Sequence, residues 1–180
     1  SSVTAKFDGK VSFENIRYIS YEGDEGEVMI CVSHSGSLNL YDEESNRILT
    51  KYDVSYGAEL KVKNNERVKK GQILYEWDPY NSTIISEYSG KVRFKDLIYN
   101  VTYREINDEQ TGHISKFVID SKDKTKSPAV EILDDNDNVI KTYNIPSKAQ
   151  LRVEDGEVIG IGTHLAKIPR DLGRTTDITG

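Results

Sequence analysis

The sequence predicts an all-β protein made of two tandem domains of short antiparallel strands, with little or no helix. Two observations carry that expectation. Almost every apolar stretch is short, alternating and rich in Val, Ile, Tyr and Phe, as in Lys10-Val11-Ser12-Phe13, Ala58-Glu59-Leu60-Lys61-Val62 and Lys91-Val92-Arg93-Phe94. Period-two alternation turns one face of a segment to a core and the other to water, and no long segment carries the helical period of 3.6. The second observation is that much of the chain is written twice.

Phe7-Asp8-Gly9-Lys10-Val11-Ser12-Phe13 returns as Tyr88-Ser89-Gly90-Lys91-Val92-Arg93-Phe94, an offset of 81. Tyr52-Asp53-Val54 and the following residues to Val62 return as Tyr143-Asn144-Ile145 to Val153, an offset of 91, which also matches Gly71 to Gly162 and Leu74 to Leu165. The second copy has therefore gained ten residues between the two blocks, expected in the loop Asp120 to Ser127. Two copies make a tandem pair rather than a solenoid. Asp78-Pro79-Tyr80-Asn81 breaks the alternation, so the expected domains are 1–80 and 81–172, followed by a return segment at 173–180. Turn residues separate the strands at Glu22-Gly23-Asp24, Asp42 to Asn46, Asn64-Asn65 and Asp134 to Asn138. From Val62 to Gly71 a strand ends, polar residues turn and Val68 returns to the core. That pattern is a hairpin closing one end of a barrel-like sheet.

Composition narrows the function classes. Hydrophobic residues make up 36% and charged residues 30%, which suits two small, well-solvated domains better than one large core. Eleven Tyr, four Phe and Trp77 still supply large apolar groups to bury. A net charge of −6 argues against holding nucleic acid through overall electrostatics. One cysteine, Cys31, precludes an internal disulfide and suits a reducing cytoplasm. No stretch reaches the roughly 20 apolar residues that span a bilayer, and no signal-peptide pattern is present, so a membrane is not expected as partner. The acceptor patterns at Asn81-Ser82-Thr83 and Asn100-Val101-Thr102 are read as chance.

Several residues invite chemistry and fall short of it. His34, His113 and His164 stand beside turns without a second ligand at metal spacing. Ser33-His34-Ser35-Gly36 lacks a nucleophile-elbow pattern. Asp134 to Asn138 opens like a calcium loop, but Val139 and Ile145 stand where Gly and Glu are required, and a hairpin turn accounts for the run. The candidate partner contacts are Lys61, Lys63, Arg67, Lys69 and Lys70, which make one hairpin basic, together with Trp77. The basic hairpin is either a solvated edge that discourages strand addition or a patch facing an acidic or nucleic-acid surface. Trp77 is expected to pack between the repeats, with a partner hot spot as the alternative.

The repeat resembles the barrel-sandwich hybrid motif, shared by lipoyl and biotinyl carrier domains and by modules of large polymerase subunits. A carrier needs a lysine at a hairpin tip, yet Pro79 occupies that place in the frame from Asp78 to Gly90, and the second copy reads Ile168-Pro169-Arg170. Lys124 lies outside the frame. Tyr75 to Pro79, Ile85 to Val92, Val101 to Glu105, Asp108 to Gly112, Val153 to Gly156, Ala166 to Arg170 and Thr176 to Gly180 are together similar to the lineage-specific insertion in the trigger loop of bacterial RNA polymerase beta-prime subunits. That resemblance implies a non-catalytic module that modulates trigger-loop folding, and through it elongation, pausing and transcript cleavage. The alternative is a docking module for transcription factors. It further implies an isolated fragment that is monomeric and no enzyme, inside a cytoplasmic nucleotidyltransferase. Partners would be other beta and beta-prime elements, with DNA and RNA met only through the parent complex. Mg2+ and Zn2+ would be bound elsewhere in that subunit, with no cofactor here.

Overall fold

The computed structural model describes residues 1–170, which form eighteen β-strands and no helix. The chain divides after Pro79 into two compact units, Ser1–Pro79 and Tyr80–Gly180.

Unit 1 opens with β1 (Ser2–Thr4), β2 (Gly9–Glu14) and β3 (Tyr18–Gly23). It continues through β4 (Gly26–Cys31), β5 (Gly36–Tyr41) and β6 (Ile48–Val54). Three short strands close it: β7 (Glu59–Leu60), β8 (Arg67–Val68) and β9 (Ile73–Glu76). They assemble into a five-stranded sheet, β1-β9-β7-β4-β3, and a four-stranded sheet, β6-β5-β2-β8. Val11, Leu38, Leu40, Leu60 and Leu74 fill the core.

Unit 2 runs through β10 (Asn81–Ile85), β11 (Gly90–Lys95), β12 (Tyr103–Asn107) and β13 (Ile114–Val118). It then forms β14 (Ala129–Leu133), β15 (Val139–Asn144), β16 (Gln150–Leu151), β17 (Val158–Ile159) and β18 (His164–Pro169). Its sheets are β10-β18-β16-β13-β12 and β15-β14-β11-β17, the orders of unit 1 with each label raised by nine. Val92, Val130, Ile132, Leu151 and Leu165 fill its core. Every pairing between strands is antiparallel, and the fold is all-β, of sandwich-barrel type.

The duplication extends to single hydrogen bonds. Val11 faces Leu40 across β2 and β5, and Val92 faces Ile132 across β11 and β14. The Tyr52 hydroxyl accepts the Lys6 N–H at 3.0 Å, as the Tyr143 hydroxyl accepts the Glu87 N–H at 2.9 Å. Asn64 Oδ1 accepts the Phe13 N–H at 2.8 Å, and Asp155 Oδ1 accepts the Phe94 N–H at 2.9 Å. These side chains satisfy backbone donors that no strand reaches, so the repeated polar positions are structural.

The ten-residue gain is not confined to the Asp120–Ser127 loop. The chain is longer in unit 2 at the β11–β12 connection, at the β12–β13 hairpin tip and at the β13–β14 connection. An offset between two anchors sums every insertion between them and cannot say where each one lies. Residues 173–180, expected to return toward a helix, lie outside the described residues.

One position separates the copies by backbone strain. Gly57 has φ 88° and donates its N–H to the Cys31 carbonyl, whereas Lys148 makes the equivalent bond to the Val118 carbonyl with φ 75°. A Cβ in this left-handed region crowds the following carbonyl. Lys148→Gly is therefore expected to raise the stability of unit 2 by about 0.5–1 kcal/mol, net of the glycine entropy cost. Thermal unfolding of the variant checks this, and an unchanged or lower transition would contradict it.

Candidate functional site

The basic hairpin runs from the end of β7 through β8 toward β9, and the structure gives four of its five cations a carboxylate. Lys61 Nζ lies 2.7 Å from Glu59 and 3.3 Å from Glu76, and Glu59 chiefly raises its pKa. Lys63 reaches Glu27 at 3.6 Å, and Lys69 reaches Asp8 at 4.0 Å. Arg67 Nε meets Glu43 at 2.8 Å, a contact that raises the arginine pKa and lowers that of the carboxyl. Lys70 is tied through its backbone, its N–H donating to Asp8 Oδ1 at 2.8 Å. A run that reads as basic in sequence thus forms a mixed-charge face. Such solvated pairs are weak and exchangeable, so the face can meet a charged protein surface more readily than it can release counterions from a phosphate backbone.

Trp77 lies partly buried against the core of unit 1. Its carbonyl accepts the Ser1 amino group at 2.9 Å, and its N–H donates to the Ser1 carbonyl at 2.9 Å. The ring therefore packs on the unit whose first and last strands, β1 and β9, pair beside it.

The histidines are dispersed. His34 stacks on Tyr56 with centroids 4.8 Å apart. His113 ends the β12–β13 tip, where its N–H donates to Thr111 Oγ1 at 3.2 Å. His164 begins β18, and burial followed by the nearby Arg152 lowers its pKa. Ser33 Oγ accepts the Arg17 N–H at 3.2 Å and lies 3.4 Å from the buried Cys31 sulfur. Asp134 to Asn138 forms the β14–β15 turn, in which Asp134 Oδ1 accepts the Asn138 and Asn136 N–H groups and Asp137 takes φ 61°. Those donors, Asn138 first, hold the Asp134 carboxyl below the usual range. Among the described residues no three His, Cys, Asp or Glu side chains are grouped to hold a metal ion.

No family model matches the chain. Three curated relatives align with all of it, each named DNA-directed RNA polymerase subunit beta'. The Salinibacter ruber protein is 44% identical over 181 residues, which is 12% of its length. The Amoebophilus asiaticus and Parabacteroides distasonis proteins are 41% and 38% identical, each over 13% of its length. The chain is homologous to one segment of the RNA polymerase beta-prime subunit. A beta-prime segment that aligns end to end while spanning 12–13% of its relatives has the extent of an inserted region. The sequence resemblance and these relatives agree on the subunit. Within the beta-prime segment, sequence reading overlooked the connection Asp96–Thr102. Its signal was the failure of the offset of 81 to continue past Leu97.

Proposed function

We propose that the chain is a non-catalytic insertion in the trigger loop of a beta-prime subunit. It acts by biasing the folding of that loop during DNA-templated RNA synthesis. Its full-length match to a small part of beta-prime carries the reading. Connectivity supports it. Ser2 faces Glu76 in unit 1 and Asn81 faces Pro169 in unit 2, so each unit receives and returns the chain at one edge. A module joined in this way can sit within a loop without stretching it.

The mechanism is a population shift. If the mixed-charge face or Trp77 meets neighbouring polymerase elements better in one loop state, the equilibrium moves by that difference in affinity. A difference of about 1.4 kcal/mol changes the ratio of states tenfold. Chemistry at the catalytic centre stays with the rest of the subunit, as do its metal ions.

The test removes residues 1–180 from the parent enzyme and joins the flanks with a short linker. Polymerisation is expected to persist, with elongation rate, pause lifetime and transcript cleavage each changed several-fold. Complete loss of activity in a correctly assembled enzyme would overturn the reading. Unchanged kinetics with loss of a bound factor would favour the docking alternative.

A further inference from the structure

Because the two units share one fold, a position in unit 2 can be compared with its counterpart in unit 1. The offset of 91 carries Glu59, Lys61 and Glu76 onto Gln150, Arg152 and Lys167. It also carries the pairing of Glu59 with Glu76 onto that of Gln150 with Lys167. In unit 1 these side chains converge, Lys61 Nζ lying 2.7 Å from Glu59 and 3.3 Å from Glu76. In unit 2 a neutral amide replaces one carboxylate and a second cation replaces the other. Arg152 and Lys167 thus occupy the two places of an ion pair. Among the described residues neither side chain has a hydrogen bond or ion pair. Cations at such positions repel each other, and a carboxylate set between them turns the repulsion into attraction.

The surrounding face does not supply that carboxylate. Directly opposed residues share one face of a sheet, so a single row crosses unit 2 through Thr83, Lys167, Gln150, Phe117 and Arg104. It carries two cations and no acid. The equivalent row of unit 1 reads Ser2, Glu76, Glu59, Ile30 and Ile19. Arg104 also borders a cleft that holds Asp120 and Asp123, so the uncompensated charge centres on Lys167 and Arg152. A second cleft, of about 310 Å³, opens beside Gln150 and Arg152, where the pairing of β16 with β13 ends at Leu151. Lys116 and Glu154, which also line it, are paired with each other. Ile106, 58% exposed, and the half-buried Phe117 give the same face an apolar part.

We infer that Arg152 and Lys167 form a docking site for an acidic polypeptide segment. A carboxylate of the partner bridges the two cations, and an apolar side chain further along it rests on Ile106 and Phe117. Unit 1 shows that this frame accepts carboxylates, because Glu59 and Glu76 fill it around Lys61. Charge complementarity therefore selects the partner. A phosphate backbone is a poorer match, since two uncompensated cations in a chain of net charge −6 release few counterions. The inference concerns unit 2 alone and stands whether or not the trigger-loop reading does.

The experiment uses the 180-residue chain and fluorescence anisotropy. Its labelled probes are a peptide alternating glutamate with leucine, the same peptide with lysine for glutamate, and a single-stranded DNA. The acidic peptide is expected to bind more tightly than the other two. Gln150→Glu with Lys167→Glu rebuilds the unit 1 pattern in unit 2 and should weaken that binding at least about tenfold. Unit 2 of this variant should unfold at the same temperature or higher. The reverse exchange, Glu59→Gln with Glu76→Lys, should create a second site and raise the stoichiometry from one peptide to two. Loss of folding cannot produce that gain. Amide spectra of the unaltered chain should show peptide-induced shifts at Arg152 and Lys167 and not at Lys61. No binding of the acidic peptide at about millimolar concentration, or tighter binding of the lysine peptide or the DNA, would overturn the proposal. Unchanged binding after the unit 2 exchange, a stoichiometry that stays at one after the unit 1 exchange, or shifts that leave Arg152 and Lys167 unmoved would do the same. Self-association abolished by the unit 2 exchange would also overturn it, by making a second copy the occupant.

Discussion

Leu165→Ala is expected to unfold the second unit well below the first, and Leu74→Ala to do the reverse. Both leucines are fully buried, each in the core of its own unit, at equivalent places on β18 and β9. Removing three carbons from such a site loses their transfer free energy and leaves a cavity that neighbouring strands cannot collapse into, a cost of about 2–5 kcal/mol. For a domain of this size that lowers the midpoint by roughly 10 °C or more. Calorimetry with amide spectra at each temperature separates the units. Each variant should show one early transition, with loss of signals from the altered unit alone. A single transition moving equally in both variants would mean that the halves unfold together.

Gly90→Ala is the second large effect. A Cβ built there would stand 2.4 Å from the Leu133 carbonyl oxygen and 2.8 Å from Ile132 Cγ2. Neither can yield cheaply, because β14 is held between β11 and β15 and Ile132 is a core residue. Overpacking of this kind costs about 1–3 kcal/mol. Gly9→Ala, which meets the Tyr41 carbonyl oxygen at 2.6 Å, should weaken unit 1 comparably. Denaturant unfolding checks both; a change under about 0.5 kcal/mol for Gly90→Ala would show that the strands can part without penalty.

These glycines show how much was legible beforehand. Phe7-Asp8-Gly9-Lys10-Val11 and its return at Tyr88 announce a repeated strand, and the alternation names Val11 and Val92 as core. Why Gly stands there is not legible, since the opposing carbonyls belong to Tyr41 and Leu133, far along the chain. The ion pairing of the basic hairpin was hidden for the same reason. Arg67 meets Glu43 and Lys63 meets Glu27, partners that lie on other hairpins. A sequence window counts charges but not their cross-strand neighbours. The Asp96–Thr102 connection was invisible because an offset reports added length without its place.

The sequence by itself determined the β class, the duplication and most core positions, because strand periodicity and repetition are local properties of the chain. Tertiary structure alone decided which charges are neutralised, which glycines are indispensable and where the second copy's added residues gather. Those outcomes depend on residues distant in sequence meeting across sheets, and only the closed fold sets those distances.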